Sequence, residues 1–226
     1  MINLIFNTSR RINLFFKTLS SLIEFNPEIH LIIGRVYILD HLSTYKDRKK
    51  MVDLCRVHFG DMVTLFEFNG VDDFDCVDKL NCIGEIFRDE NELILFLNDD
   101  WKCIGSLDLS EKSKRIIDKD FNIVNFATPL FLQTERIAND FRIDDLHWRN
   151  PFPEYYNQPT ETTNDGQIIY NVVRMNNFSL TPHLCLSSVY KGKKFSKNGR
   201  YETDFADSNN FSQVFTTEMF FQNIGS

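Results

Sequence analysis

Asn98, Asp99 and Asp100 stand at the exit of the apolar run ELILFL (92–97), and Trp101 follows at once. An amide oxygen beside two carboxylates is a set of hard oxygen donors suited to Mg²⁺ or Mn²⁺, and a cation held there could in turn hold a diphosphate. If strand geometry runs on through the motif, side chains alternate, so Asn98 and Asp100 share a side while Asp99 points away. Asn98 and Asp100 are then the expected cation ligands, with phosphate oxygens completing the shell. The blander reading is that the acids cap the next turn or meet solvent. Their position at the end of a core strand favours the cation.

Such a strand needs a sheet around it. INLIFNT (2–8) reads as a first strand, and residues 10–25 carry Ile12, Phe15, Phe16, Leu19, Leu22 and Ile23 near one helical face, with Ser9 as the expected cap. RVYILDHLS (35–43) is a second strand, 47–60 a helix closed by Gly60, MVTLFEF (62–68) a third strand, and 75–89 a helix leading into the quoted run. Strands joined by helices of this length imply right-handed crossovers and a parallel sheet covered on both faces. In such sheets ligands bind beyond the carboxyl ends of the strands, where loops converge and helix N-termini point. Thr8 to Arg10, Asp40 and Asn98 to Asp100 all fall there.

The second half has a different character. Residues 121–132 are strand-like, 147–166 hold three of the six prolines and read as a long irregular loop, and 168–185 read as extended. A short helix near LSSVYKG, an acidic stretch (200–208) and a single final strand from Gln213 follow. The expected architecture is one α/β domain, residues 1–226, with a nucleotide-binding half (1–101) and an acceptor-side half (102–226).

Composition removes several functions. The net charge is -7 and basic residues are scattered, which gives no electrostatic reason to bind nucleic acid. Five cysteines with no C-x-x-C pair suggest buried thiols in a reducing compartment, and the Arg10-Arg11 pair interrupts the N-terminal apolar run too early for a signal peptide or transmembrane segment. A cytoplasmic protein is expected. No G-x-G-x-x-G or G-x-S-x-G occurs, against a dinucleotide dehydrogenase or a serine hydrolase.

FLNDDW resembles the Asp-Asp-Trp variant of the D-x-D motif in GT-A-type glycosyltransferases, and residues 78–100 are similar to the layout that precedes that motif in chlorovirus, mimivirus-like and bacterial members. NNFSLTPHLC (176–185), YETDF (201–205) and FFQNIGS (220–226) resemble further segments of the same family. The resemblance implies a GT-A-like fold, with a mostly parallel central sheet flanked by helices. It also implies Mn²⁺ or Mg²⁺, a nucleotide-sugar donor (a UDP-sugar favoured) and a glycan acceptor. Carried over to this chain, it puts Thr8 and Arg10 at the border of the nucleotide pocket, Asp40 on the nucleobase or ribose, and Lys79 and Asp99 toward the donor. Asp100 becomes the main cation ligand. Asn98 replaces the family's first acid, and Asn223 stands where relatives often have a diphosphate-side histidine; His183 is a possible substitute.

An inverting transferase also needs a carboxylate to take the acceptor's proton. Asp204 and Glu202 are the candidates; about 200° of helical rotation separates them, so only one can face the donor. Asp204 is favoured as base, with Glu202 orienting acceptor hydroxyls. Trp101, Trp148, Tyr155 and Tyr156 offer rings for a sugar face, with Trp148 the best placed, although such residues are more often packing anchors. Two alternatives stay open: a GT-A-like module that binds without catalysis, to which Asn98 and Asn223 point, and a nucleotidyltransferase, which would want a glycine-rich loop that FNTSRR lacks.

Overall fold

The computed structural model describes residues 1–70, 75–87, 89–110, 112–113, 122–126, 159–162, 168–173, 180–197, 202, 204–205, 208–209, 212–216 and 220–225. Strand β1 (Ile2–Ser9) leads to α1 (Ile12–Phe25), a single turn α2 (Ile29–Ile32), β2 (Ile33–His41), α3 (Tyr45–Phe59), β3 (Val63–Phe68), α4 (Asp75–Ile86) and β4 (Leu93–Asn98). Thr44 caps α3 by accepting from the Asp47 amide, and Gly60 ends it with a left-handed φ of 68°. Ser9 caps nothing: it is the last residue of β1, and α1 begins after Arg11 with no side-chain cap.

These four strands lie parallel in the order β3-β2-β1-β4. Alternation along them supplies two cores. Leu4, Phe6, Val36, Ile38, Leu95 and Leu97 pack with Phe15, Leu19 and Leu22 of α1 and Met51 and Cys55 of α3. Ile5, Tyr37, Leu39, Ile94 and Phe96 pack with Val77, Leu80 and Ile83 of α4. With both faces covered, β4 is apolar at every position from Leu93 to Leu97, all buried.

Beyond β4 the sheet continues as β9 (His183–Leu186), β6 (Ile123–Asn125), β10 (Ser212–Thr216), β8 (Ile168–Val173) and β7 (Pro159–Thr162). Here only the β6–β10 pair is parallel; the β4–β9, β9–β6, β10–β8 and β8–β7 pairs are antiparallel. Strand β7 falls inside the stretch read from sequence as a loop. The TET segment has the β propensity and β8 the partner edge that make a strand there. The expected final strand is divided between β10, in the large sheet, and β11 (Phe221–Asn223), which pairs with β5 (Trp101–Cys103) in a separate two-stranded sheet. No helix among the described residues is long and apolar enough to cross a membrane.

Candidate functional site

The chain runs from β1 outward to β2 and β3, then returns to lay β4 on the other side of β1. The topological switch point of the sheet is therefore the seam between β1 and β4, and in open α/β sheets ligands bind beyond the strand ends at such a point. Asn7 and Asn98 are register partners across that seam, and the Asp99 amide donates to the Asn7 carbonyl (3.1 Å). One step further out the strand ends and Asp99–Asp100 form a turn.

That turn overturns the expected alternation. Asp99 and Asp100 do not diverge; both reach Arg11, at 2.5 Å (Nη2 to Asp99 Oδ1) and 3.2 Å (Nη1 to Asp100 Oδ2). Asn98 turns instead into the sheet edge: its Oδ1 accepts from Asn7 Nδ2 (2.8 Å) and its Nδ2 donates to the Leu180 carbonyl (2.6 Å). The period-2 rule holds only while the backbone is extended, and it stops at residue 98.

The turn is built from behind by α1. Thr18 Oγ1 donates to the Asp99 carbonyl (2.8 Å), and Ser21 Oγ accepts from the Cys103 amide (2.9 Å) while donating to the Thr18 carbonyl (3.0 Å). Asp99 itself is fully buried. Its Oδ2 accepts from Thr8 Oγ1 (2.8 Å) and the Ser9 amide (3.3 Å). Burial raises its pKa, partly offset by Thr8 and Arg11. Asp100 is less enclosed, at 18% side-chain exposure, and its Oδ1 is a buried oxygen with no hydrogen-bond partner. A buried carboxylate oxygen without a partner is chemically suited to a hard cation.

The terminal strand closes over the same residue. Ile224 donates to the Asp100 carbonyl (2.7 Å), and a Cβ placed on Gly225 would lie 2.5 Å from Asp100 Cβ. Only glycine admits this approach. Asn223 is exposed and its Oδ1 accepts from the Gly225 amide (3.0 Å), while Trp101 pairs with it across β5 and β11 and packs partly on the core.

On the β2 side, Asp40 is also fully buried. Oδ1 accepts from Ser43 Oγ (2.5 Å); Oδ2 accepts from the Ser43 amide (3.2 Å) and from Arg48 Nε (2.7 Å). Asp40, expected on the nucleobase or ribose, is an anchor for the loop after β2. Arg10 and Leu42, at matching positions past the ends of β1 and β2, both take a left-handed φ (53° and 60°), and the Arg10 amide donates to Ser43 Oγ (3.1 Å). Left-handed non-glycine residues cost about 1–2 kcal/mol each. Two of them side by side mark a loop pair held in shape by its surroundings. Lys79, buried on α4, donates to the Thr8 carbonyl (3.0 Å).

Of the two expected bases, Glu202 is linked to the motif through Leu180. Its Oε1 accepts from the Leu180 amide (3.1 Å), and the Leu180 carbonyl takes the Asn98 amide, so a single residue links Glu202 to Asn98. Burial raises the Glu202 pKa. Asp204 accepts from Ser196 Oγ (3.0 Å). His183 cannot stand in near a diphosphate. It is fully buried and stacked on Phe96 at 5.0 Å. The Thr181 carbonyl takes its Nδ1–H, which leaves Nε2 to accept from Tyr190. Burial lowers its pKa to about 4. Trp148, Tyr155 and Tyr156 lie outside the described residues.

Arg11, Thr18 and Leu180 are site residues that the sequence reading passed over. Arg11 had a signal: a cation at a helix N-terminus opposes the macrodipole and calls for an acidic partner. Thr18 had a weaker one, as a polar group on the face that carries Phe15 and Leu22. Leu180 acts through its backbone and had none.

No family model and no curated protein matches the sequence. Solved structures do. The chain is similar to residues 1–349 of TarS from S. aureus in complex with UDP-GlcNAc (TM-score 0.60, 12% identity, covering 100% of this chain and 60% of that one). It is similar to the galactosyltransferase LgtC in complex with donor and acceptor sugar analogs (0.53, 11%, 95% and 73%). It also resembles the mannosyltransferase PcManGT from Pyrobaculum calidifontis in complex with GDP-Man and Mn²⁺ (0.59, 13%, 95% and 54%). This chain thus spans only about three fifths of the TarS chain's length. At such identities the likeness is one of architecture, and together with the observed sheet it makes this an α/β chain of the GT-A-like glycosyltransferase fold.

Proposed function

We propose that the protein transfers a sugar from a nucleotide-diphosphate sugar to a hydroxyl of a glycan acceptor, with a divalent cation, Mn²⁺ or Mg²⁺, at the Asp99–Asp100 turn. The observation that carries this reading is the unpartnered, buried Oδ1 of Asp100 at the β1–β4 switch point. Among the described residues no three acidic, histidine or cysteine side chains gather as a complete cation cage, so the protein would supply Asp100 and its neighbour Asp99, and the donor's phosphates the rest. Asn98 supports the turn from the sheet edge. UDP is the favoured nucleotide, as in the TarS complex, and thiols without a C-x-x-C pair favour the cytoplasm as the place of work.

In this reading Thr8, Arg10 and the loop anchored by Asp40 border the nucleotide, and Lys79 backs them through the Thr8 carbonyl. A bound cation would stabilise the negative charge of the departing diphosphate. Glu202 takes the proton of the acceptor hydroxyl, in preference to Asp204. Its tether to Leu180 brings it near the motif, and its burial raises its basicity. Direct attack by that hydroxyl inverts the anomeric centre. Donor hydrolysis with Mn²⁺ tests the proposal: the wild-type chain turns over, and Asp100→Ala is slower by about 10²–10³-fold, the range for removing one group that stabilises developing charge. No turnover in either removes the enzymatic reading.

One observation favours a non-catalytic glycan- or partner-binding module: Arg11 already neutralises the two acids. Saturable donor binding without hydrolysis or transfer, unchanged in Asp100→Ala, would select it.

A further inference from the structure

Arg11 is held differently from an ordinary structural arginine. Its side chain is 43% exposed, and its guanidinium spans two adjacent carboxylates, of which Asp99 is fully buried and Asp100 is 18% exposed. Neither acid has another cationic group among its described partners. The span is uneven, 2.5 Å to Asp99 and 3.2 Å to Asp100, and it leaves Asp100 Oδ1 buried and unsatisfied. The chain around it is firmly built: Arg11 is the N-cap of α1, its carbonyl accepts from the Leu14 and Phe15 amides, and α1 is bonded to the acidic turn through Thr18. The backbone is fixed and only the side chain has room to move.

We infer that Arg11 is an exchangeable internal counter-ion: its guanidinium neutralises Asp99 and Asp100 in the resting protein and is displaced when a divalent cation binds them. Two neighbouring carboxylates with no counter-charge repel each other, more strongly where one is desolvated, so a resting cation is needed to hold the turn together. A divalent ion offers twice the charge and can also use the oxygen that Arg11 leaves unsatisfied. The displaced guanidinium stays within a side chain's length of the turn, and its planar fork is suited to the phosphates of a donor. Cation and donor then assist one another through a single side chain. This inference rests on the cation site proposed above and adds a competitor already built into it.

The test is a Mn²⁺ titration without nucleotide, following the free ion by electron paramagnetic resonance. Arg11→Gln binds Mn²⁺ more tightly than wild type by about tenfold or more, the factor for losing one charge-assisted bond that the ion must otherwise break. Arg11→Lys, which keeps the charge but not the fork, falls between. Equal or weaker binding in Arg11→Gln overturns the counter-ion role and leaves the cation site standing. No saturable binding in either chain overturns both. A measurement on the wild-type chain covers the case in which the variant does not fold. The guanidinium N–H resonances of Arg11 shift toward those of a solvated arginine as Mg²⁺ saturates the protein, and resonances that stay in place overturn the proposal.

Discussion

Two strand ends in this protein carry an acid paired with an arginine, and they are built to opposite effect. At the end of β2, Asp40 meets Arg48, whose side chain is 10% exposed and also bonds Glu67 Oε2 (2.5 Å) and Asn69 Oδ1 (2.7 Å). Both Asp40 oxygens and all three guanidinium nitrogens have partners. At the end of β4, Asp99 and Asp100 meet Arg11, a half-exposed side chain that leaves one carboxylate oxygen without a bond. A buried pair with every atom engaged fixes a loop. A pair with an open side and an unsatisfied atom is ready for a different partner. Position in the fold is similar; satisfaction separates scaffold from site.

The sharpest way to break this contrast is to remove each arginine. Arg48→Met leaves Asp40 buried and uncompensated, at a cost of about 3–5 kcal/mol. Urea unfolding should register that loss with and without Mn²⁺. If Arg48→Met were no less stable than wild type, the β2 end would not be scaffold in the sense argued. Arg11→Gln should differ in kind: its deficit shrinks as Mn²⁺ is added, because the ion replaces the lost charge.

Glu202 extends the contrast to the acceptor side, as a carboxylate that accepts from the Leu180 amide rather than from a cationic side chain. Its pKa is raised in the folded chain, so over the window from the ordinary glutamate value up to the raised one the folded state holds a proton that the unfolded state has lost. Stability therefore falls as pH rises through that window, while the ionised form needed as base appears. Glu202→Gln removes both effects. Transfer drops about 100-fold, the low end for a general base, and its acidic limb disappears from the pH profile. The melting temperature at neutral pH holds or rises, since the Leu180 amide keeps an acceptor. An unchanged profile would assign the proton transfer elsewhere, with Asp204 next in order.

How far these features could be read in advance depended on the range of the interactions behind them. The β-α-β-α-β-α-β half was legible because Leu93–Leu97 and the face of α1 obey local periodicities that burial on both sides enforces. Asp99 and Asp100 were legible as a motif, but their shared partner was not: alternation stopped one residue early, and Arg11 lies 88 residues from Asp99 in sequence. The second half was read less well. Strand β7, inside a stretch read as loop, and the division of the final strand into β10 and β11 owe their form to non-local pairing, which leaves little period in the sequence. His183, a possible diphosphate contact in the sequence, proved to be part of an aromatic stack that only the meeting of β4 and β9 creates.

Gly225 gives the finest test of whether Asp100 is held in a set position or merely available. The terminal strand passes so close that a Cβ there would lie 2.5 Å from Asp100 Cβ, 2.8 Å from Oδ2 and 3.1 Å from Cγ. The clash involves the root of the Asp100 side chain, so a change of rotamer cannot relieve it. Either the strand lifts, breaking the Ile224 to Asp100 bond of 2.7 Å, or the carboxylate shifts. Gly225 is half-buried beside the small two-stranded sheet and outside the two main cores, so global stability should change little in Gly225→Ala. Mn²⁺ affinity should fall by about tenfold, or ~1.4 kcal/mol, since the oxygens move relative to Asp99. If Arg11 is the resting counter-ion, that misplacement weakens the guanidinium contact as well. The double variant Arg11→Gln/Gly225→Ala should then bind Mn²⁺ less tightly than Arg11→Gln alone, by more than the single-variant factor, because no competitor is left whose weakening offsets the loss. A full tenfold loss in both backgrounds would mean that Gly225 and Arg11 act on Asp100 independently.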